Sequence, residues 1–162
     1  DFLYERFYRQ NRFERIFSYI PPHPPRRGRT EEFANYLGDK YDIPVTRRET
    51  RYSPTQWVDF LNMFSESTFC VNCDPEPQQG QQGIQCAILG VINIGGVNDS
   101  HHTLFPQTAN NDFTALEEEF EKCIGDTEYR ISRIKEAFDA ANKVYSFEAT
   151  RKRFNKIQEI TG

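Results

Sequence analysis

The sequence predicts an α-rich α+β fold, a small helical body with one β-hairpin and an extended N-terminal arm. Three observations carry that expectation. Apolar residues recur at helical spacing along most of the chain. Only Thr68–Asn72 and Ile84–Ile94 have strand-like composition, and a polar stretch rich in Pro and Gly separates them. Pro21, Pro22, Pro24 and Pro25 cut the first helical stretch off from everything that follows.

Residues 2–17 read as a helix. Leu3, Phe7, Phe13 and Phe17 fall near one face, Tyr4 and Tyr8 add a second stripe, and Arg6, Arg9, Arg12 and Arg15 recur every three residues. The helix must stop before Ile20-Pro21, because a residue preceding proline is pushed out of the α region. Residues 18–29 then form an extended polyproline-type strap. The implied organisation is an N-terminal helix and proline-rich arm over 1–29, followed by a single globular α-rich domain over 30–162.

Thr30 is the expected cap of a short helix, with Glu31 and Glu32 on its positive end and Gly38 at its close. Residues 39–52 read as irregular or briefly extended. Ser53-Pro54 opens the surest helix of the first half, with Trp57, Phe60, Leu61 and Phe64 on one face. The two strand-like stretches form a hairpin whose tip, Asp74–Gly83, is polar and dispensable. Such a hairpin is marginal alone and must lie on helices. Residues 95–113 read as loop, with His101-His102 at the surface. Thr114–Glu117 fits a capping box for a helix carrying Leu116, Phe120, Cys123 and Ile124 and ending at Gly125. Residues 128–145 form a longer helix with Ile131, Ile134, Phe138 and Ala141 inward. Ser146 recaps a last helix whose apolar residues are Phe147, Phe154, Ile157 and Ile160. The expected core is Trp57, Phe60, Leu61, Phe64, Ile88, Ile92, Leu116, Phe120, Ile131, Ile134 and Phe138.

Charge is sorted along the 162 residues. Residues 1–52 carry 11 Lys/Arg against 8 Asp/Glu; residues 53–128 carry 12 Asp/Glu and only Lys122; residues 129–162 carry 8 Lys/Arg against 4 Asp/Glu. Two basic ends thus flank a strongly acidic middle. Either the ends fold over the middle, or they meet other partners. The acidic middle and the overall net charge of −4 argue against a polyanionic partner such as nucleic acid. No stretch reaches the roughly 18 apolar residues that span a bilayer.

Catalytic signatures are absent from the sequence. There is no Gly-x-Ser-x-Gly elbow and no phosphate loop. Cys70-Val-Asn-Cys73 is half a zinc motif; Cys86 with His101 or His102 would complete it, but no second CxxC or HxxxH exists. A redox-active thiol needs a helix N-terminus after it, where Asp74-Pro75 stands instead. In an oxidising compartment Cys70, Cys73, Cys86 and Cys123 would form two disulfides. Glu117, Glu118, Glu119 and Glu121 read as a solvated first helical turn. One sequon, Asn98-Asp99-Ser100, occurs.

These readings lead to a non-enzymatic accessory subunit, without metal or cofactor, that docks into a larger protein assembly through its Arg/aromatic arm. The docking residues are Tyr4, Arg6, Phe7, Tyr8, Arg9, Arg12, Arg15, Arg26 and Arg27; Arg is the cation that interfaces favour. The partners are other protein subunits, with no membrane span and no nucleic acid. The alternatives are a secreted disulfide-bonded effector or toxin, and a zinc-bearing nucleic-acid-binding module. The chain begins at Asp1 and its one Met is Met63, so the expectation is a processed or trimmed chain, organellar (mitochondrial) or secreted.

Overall fold

The middle of the molecule is a strand of three residues, β1 (Ile16–Ser18), in a computed structural model that describes residues 14–18, 27–47, 54–73 and 81–161. On one side β1 pairs with β2 (Val45–Arg47), on the other with β3 (Phe69–Val71), and β3 pairs with β4 (Ile92–Ile94). Every pairing is parallel, in the order β2-β1-β3-β4. Parallel neighbours need crossovers, which helices supply: α1 (Arg27–Tyr41), α2 (Pro54–Ser65) and α3 (Gln81–Leu89). The helices α4 (Asp99–Leu104), α5 (Phe113–Gly125), α6 (Thr127–Tyr145) and α7 (Phe147–Thr161) follow.

The helix-rich mixture of α and β therefore stands, but the hairpin does not. Between β3 and β4 lies α3, so Ile84–Leu89 is helix and only Ile92–Ile94 is strand. Gly90, at φ 69°, separates the two. A short continuous apolar run fits a buried helix as well as a buried strand, which is why composition misassigned it. The helix expected over 2–17 is corrected in the same way at its end, where Ile16–Ser18 is strand; residues 1–13 lie outside the described residues. All three residues of β1 are buried, so no polar alternation marks it in the sequence.

The register sorts the side chains into two layers. Phe17, Cys70 and Asn93 lie in one row, facing α2, α3, α4 and the second half of α6; their neighbours include Phe60, Leu61, Phe64, Cys86, Leu89, Leu104, Ala137 and Ala141. The rings of Phe60 and Phe64 lie 5.7 and 5.1 Å from that of Phe17. Ile16, Phe69 and Ile92 lie in the alternate row, against α1 and α5 through Phe33, Leu37, Leu116, Phe120 and Cys123. The chain steps one way from β1 to β2 with α1 on one face, then back across to β3 and on to β4 with α2 and α3 on the other. A single hand of crossover requires that swap of faces.

Several boundaries move for physical reasons. α1 begins at Arg27 rather than Thr30, and Gly38 lies inside it. A side chain on Gly38 would press into Val45 and lie 2.9 Å from the Ile43 carbonyl, so close approach of β2 requires the glycine. Asp42, at φ 54°, makes the turn out of the helix. The cap of α5 is Asp112, whose carboxylate accepts from the Thr114 and Ala115 amides, in place of the expected Thr114 box. α4 forms within the expected loop, capped by Asn98. Ser146 does recap the last helix, its hydroxyl accepting from the Ala149 amide at 3.1 Å. Of the expected core, Ile131 is instead 58% exposed, Ile88, Ile134 and Phe138 are half-buried, and the Trp57 side chain lies outside the described residues.

Candidate functional site

In an open parallel sheet the usual ligand crevice lies outside the carboxyl ends of the strands, where the strand order reverses. Here that point lies between β1 and β3. The chain gathers polar side chains on this side of the sheet, and they bond to one another. Gln82, from the first turn of α3, donates to Cys70 Sγ at 2.8 Å and to Asn93 Oδ1 at 3.0 Å, and accepts from Asn72. Asn93 donates to the Gly95 carbonyl at 2.6 Å, while its own carbonyl accepts from Thr108 Oγ1. Thr30 Oγ1 accepts from the Cys73 amide at 2.9 Å, tying the first turn of α1 to the end of β3. Gln82 falls in the stretch that the sequence predicts to be a dispensable tip, yet it is 95% buried and at the centre of this network. Ser18 Oγ, at the end of β1, is buried with no hydrogen-bond partner among the described residues.

His101 sits beside this network, fully buried and not at the surface. Gly83 and Gly96 leave the space for its ring, since a side chain on either would overlap it. Asn98 Oδ1 accepts from the His101 amide, and Asn98 Nδ2 lies 3.2 Å from Nδ1 and 3.5 Å from Nε2 of the His101 ring. Burial, with His102 adding a smaller like-charge effect, pushes the imidazole down to about 4. Burial likewise pushes the Cys73 and Cys123 thiols up to about 12. At neutral pH the His101 imidazole is uncharged and the Cys73 and Cys123 thiols are protonated.

All four cysteines are free and buried. Cys70 and Cys73 belong to opposite layers of the core, so the CxxC spacing does not converge them. Among the described residues no three His, Cys, Asp or Glu side chains come together as a metal site would require. A cavity of about 10 Å³ under α6, bordered by Thr108, Glu119, Cys123 and Arg133, has room for one water.

The residues expected to dock divide as follows. Tyr4, Arg6, Phe7, Tyr8, Arg9, Arg12 and Arg26 lie outside the described residues. Arg27 is the first residue of α1. Arg15 precedes β1; its guanidinium lies 3.6 Å from Glu66, and its carbonyl accepts from the Thr68 and Phe69 amides. Arg29 covers the Phe113 ring at 5.2 Å, and Arg47 pairs with Glu31.

The surface that does stand out is α7. Its main packing partner is α6, and every side chain described on it is exposed except Ala149, which is half-buried. Phe147 is 85% exposed and Phe154 60%. Seven residues apart, they fall on one stripe of the helix, with Thr150 between them. Arg151 and Arg153 flank that stripe, and Lys152 and Lys156 follow. Within α7, Lys152 pairs with Glu148 at 2.8 Å, and Arg153 donates to the Ala149 carbonyl. The sequence did name Phe147 and Phe154 as apolar residues of the last helix, but as bundle members rather than as an open face.

The opposite electrostatic face is built by α1 and α5. Glu117 accepts from Tyr36, Lys40 and Tyr41, and Tyr41 also donates to Glu121. The Lys40 ammonium holds the Glu117 carboxyl below its ordinary range, and Glu117 in turn raises Lys40. Glu119 is buried, accepting from Tyr129 at 2.5 Å, so the glutamate run is only partly a solvated turn. What remains open is Tyr36, 46% exposed, with the exposed acids Glu32 and Asp39 and the exposed Lys40 on α1, and Glu118 and Glu121 on α5.

No family model, no curated protein and no solved structure matches this chain.

Proposed function

We propose that this chain is a non-enzymatic docking subunit that joins a protein assembly through α7. The observation that carries the reading is the pair Phe147 and Phe154, 85% and 60% exposed, on one stripe of a helix that has little else to pack against. Exposed aromatic rings beside arginines are the composition that interface centres favour. No described helix is long and apolar enough to cross a membrane, so a bilayer span does not account for the stripe. The N-terminal set from Tyr4 to Arg12 forms a second docking element of the same reading, tested separately by replacing Arg6, Arg9 and Arg12 with Gln.

A photo-crosslinking residue placed at position 154 in cells tests the α7 element. A discrete protein adduct at 154, absent when the same residue replaces exposed Asp139 on α6, is the expected result. Position 154 giving no adduct beyond that of 139 would end the reading.

A further inference from the structure

Resting on that docking reading, we infer that the occupant of the α7 stripe is the α1–α5 face of a second copy of this chain. The argument is complementarity between two surfaces of one sequence. α7 offers Phe147 and Phe154 flanked by Arg151 and Arg153. The α1–α5 face offers exposed Tyr36, the exposed acids Glu32, Asp39, Glu118 and Glu121, and the exposed cation Lys40 beside the Tyr36 ring. The exposed acids of the α1–α5 face outnumber the exposed Lys40, and the exposed cations of α7 outnumber Glu148, so the two surfaces are complementary in net charge around aromatic residues.

The chain's own organisation supports a partner rather than a fold-back. The basic C-terminal end packs chiefly on α6, and the ion pair formed within α7 is Lys152–Glu148. Among the described residues, Arg151, Lys156 and Glu118 have no ion-pair partner. On α5, Glu117, Glu119 and Glu121 pair with Lys40 or Lys122, so the charge left without an ion pair across α7 and α5 includes that of Arg151, Lys156 and Glu118. Two copies resolve it by laying the basic helix of each on the acidic face of the other, and two reciprocal seats of this kind close on a twofold axis.

The test is sedimentation velocity on the full chain, with a charge-swap pair. Wild type sediments as a dimer at low salt and shifts toward monomer at about 0.5 M NaCl, where exposed pairs are screened. Arg151→Glu/Arg153→Glu and Glu118→Lys/Glu121→Lys, each alone, weaken association at least roughly tenfold. Mixed together, the two variants recover a heterodimer. In a mixture of light and ¹⁵N-labelled chains, the crosslinker at 154 joins peptides of different isotope origin, with the second peptide from 27–41 or 113–125.

A monomeric wild type at every concentration, or variants that associate as wild type does, overturns the inference. So does binding of α7 to vesicles carrying anionic lipid while the chain stays monomeric. The docking reading then survives if position 154 still captures a different protein in cells, and falls with the inference if it captures none.

Discussion

Gly96 and His101 show how one residue's missing side chain fixes another's chemistry. Gly96 has φ 94°, outside the range L side chains favour, and a Cβ there would run into the imidazole. Gly96→Ala should therefore cost at least about 2 kcal/mol, combining backbone strain with overpacking. Part of that cost is the ring itself, so the same change made on a His101→Ala background should cost at least about 1 kcal/mol less in denaturant titrations. Additive costs would mean that backbone strain alone is at work. The buried ring also ties stability to pH. An unfolded histidine takes up a proton near pH 6.5, while the folded one does so only near 4. Between those values the unfolded state binds more protons, so stability present above pH 6.5 falls by roughly 3 kcal/mol on the way down to 4. His101→Gln should flatten the midpoint-against-pH curve across that window; an unchanged slope would assign the acid sensitivity elsewhere. His101 and His102 look alike in the sequence. The legible signal was Asn98 three residues ahead, since an Asn whose side chain accepts from an amide three residues on marks a helix start and fixes which residues turn inward.

Elements were legible where they are amphipathic and illegible where they are buried on both faces. The helices α2, α5 and α6 show an apolar stripe and were found to within a few residues. The strands are three residues each and three of them are wholly buried, so the alternation that reveals a strand cannot appear. The run from Ile84 to Ile94 hides a helix, a left-handed glycine and a strand, and only the parallel pairing of Phe69–Val71 with Ile92–Ile94 tells them apart. The most consequential miss is β1, read as the tail of a detachable helix. Phe17 is 1% exposed and touches two rings of α2. Phe17→Ala should cost about 3–5 kcal/mol in denaturant titrations, enough to unfold a marginal domain. By the same argument, removing residues 1–29 should abolish the cooperative thermal transition, because it takes away the strand that joins β2 to β3. A truncated chain melting within a few degrees of the whole one would contradict the sheet order.

At the scale of the whole molecule, the candidate surface was half legible. The sorted charge and the aromatic residues of the last helix are plain in the sequence. Which of them remain outside the core is not, because exposure depends on whether another element arrives to cover them. α7 carries little of the fold's packing, so ending the chain after Ser146 should shift the melting temperature by no more than about 2 °C while removing the Phe147–Phe154 stripe. A large loss of stability would place α7 in the core and leave no free face to bind with.

The position of β1 carries a cost in time. Of the described strands the first made is the one both halves of the sheet need, and β3, its partner on the larger side, lies about fifty residues further along. At ribosomal rates of about 5–20 residues per second, Ile16 and Phe17 wait on the order of 3–10 s before that partner exists. Until β3 is made, β1 can pair only along its β2 edge, and the nascent chain holds the other edge of an apolar segment open, the interval in which a chaperone is most needed and a neighbouring nascent chain most dangerous.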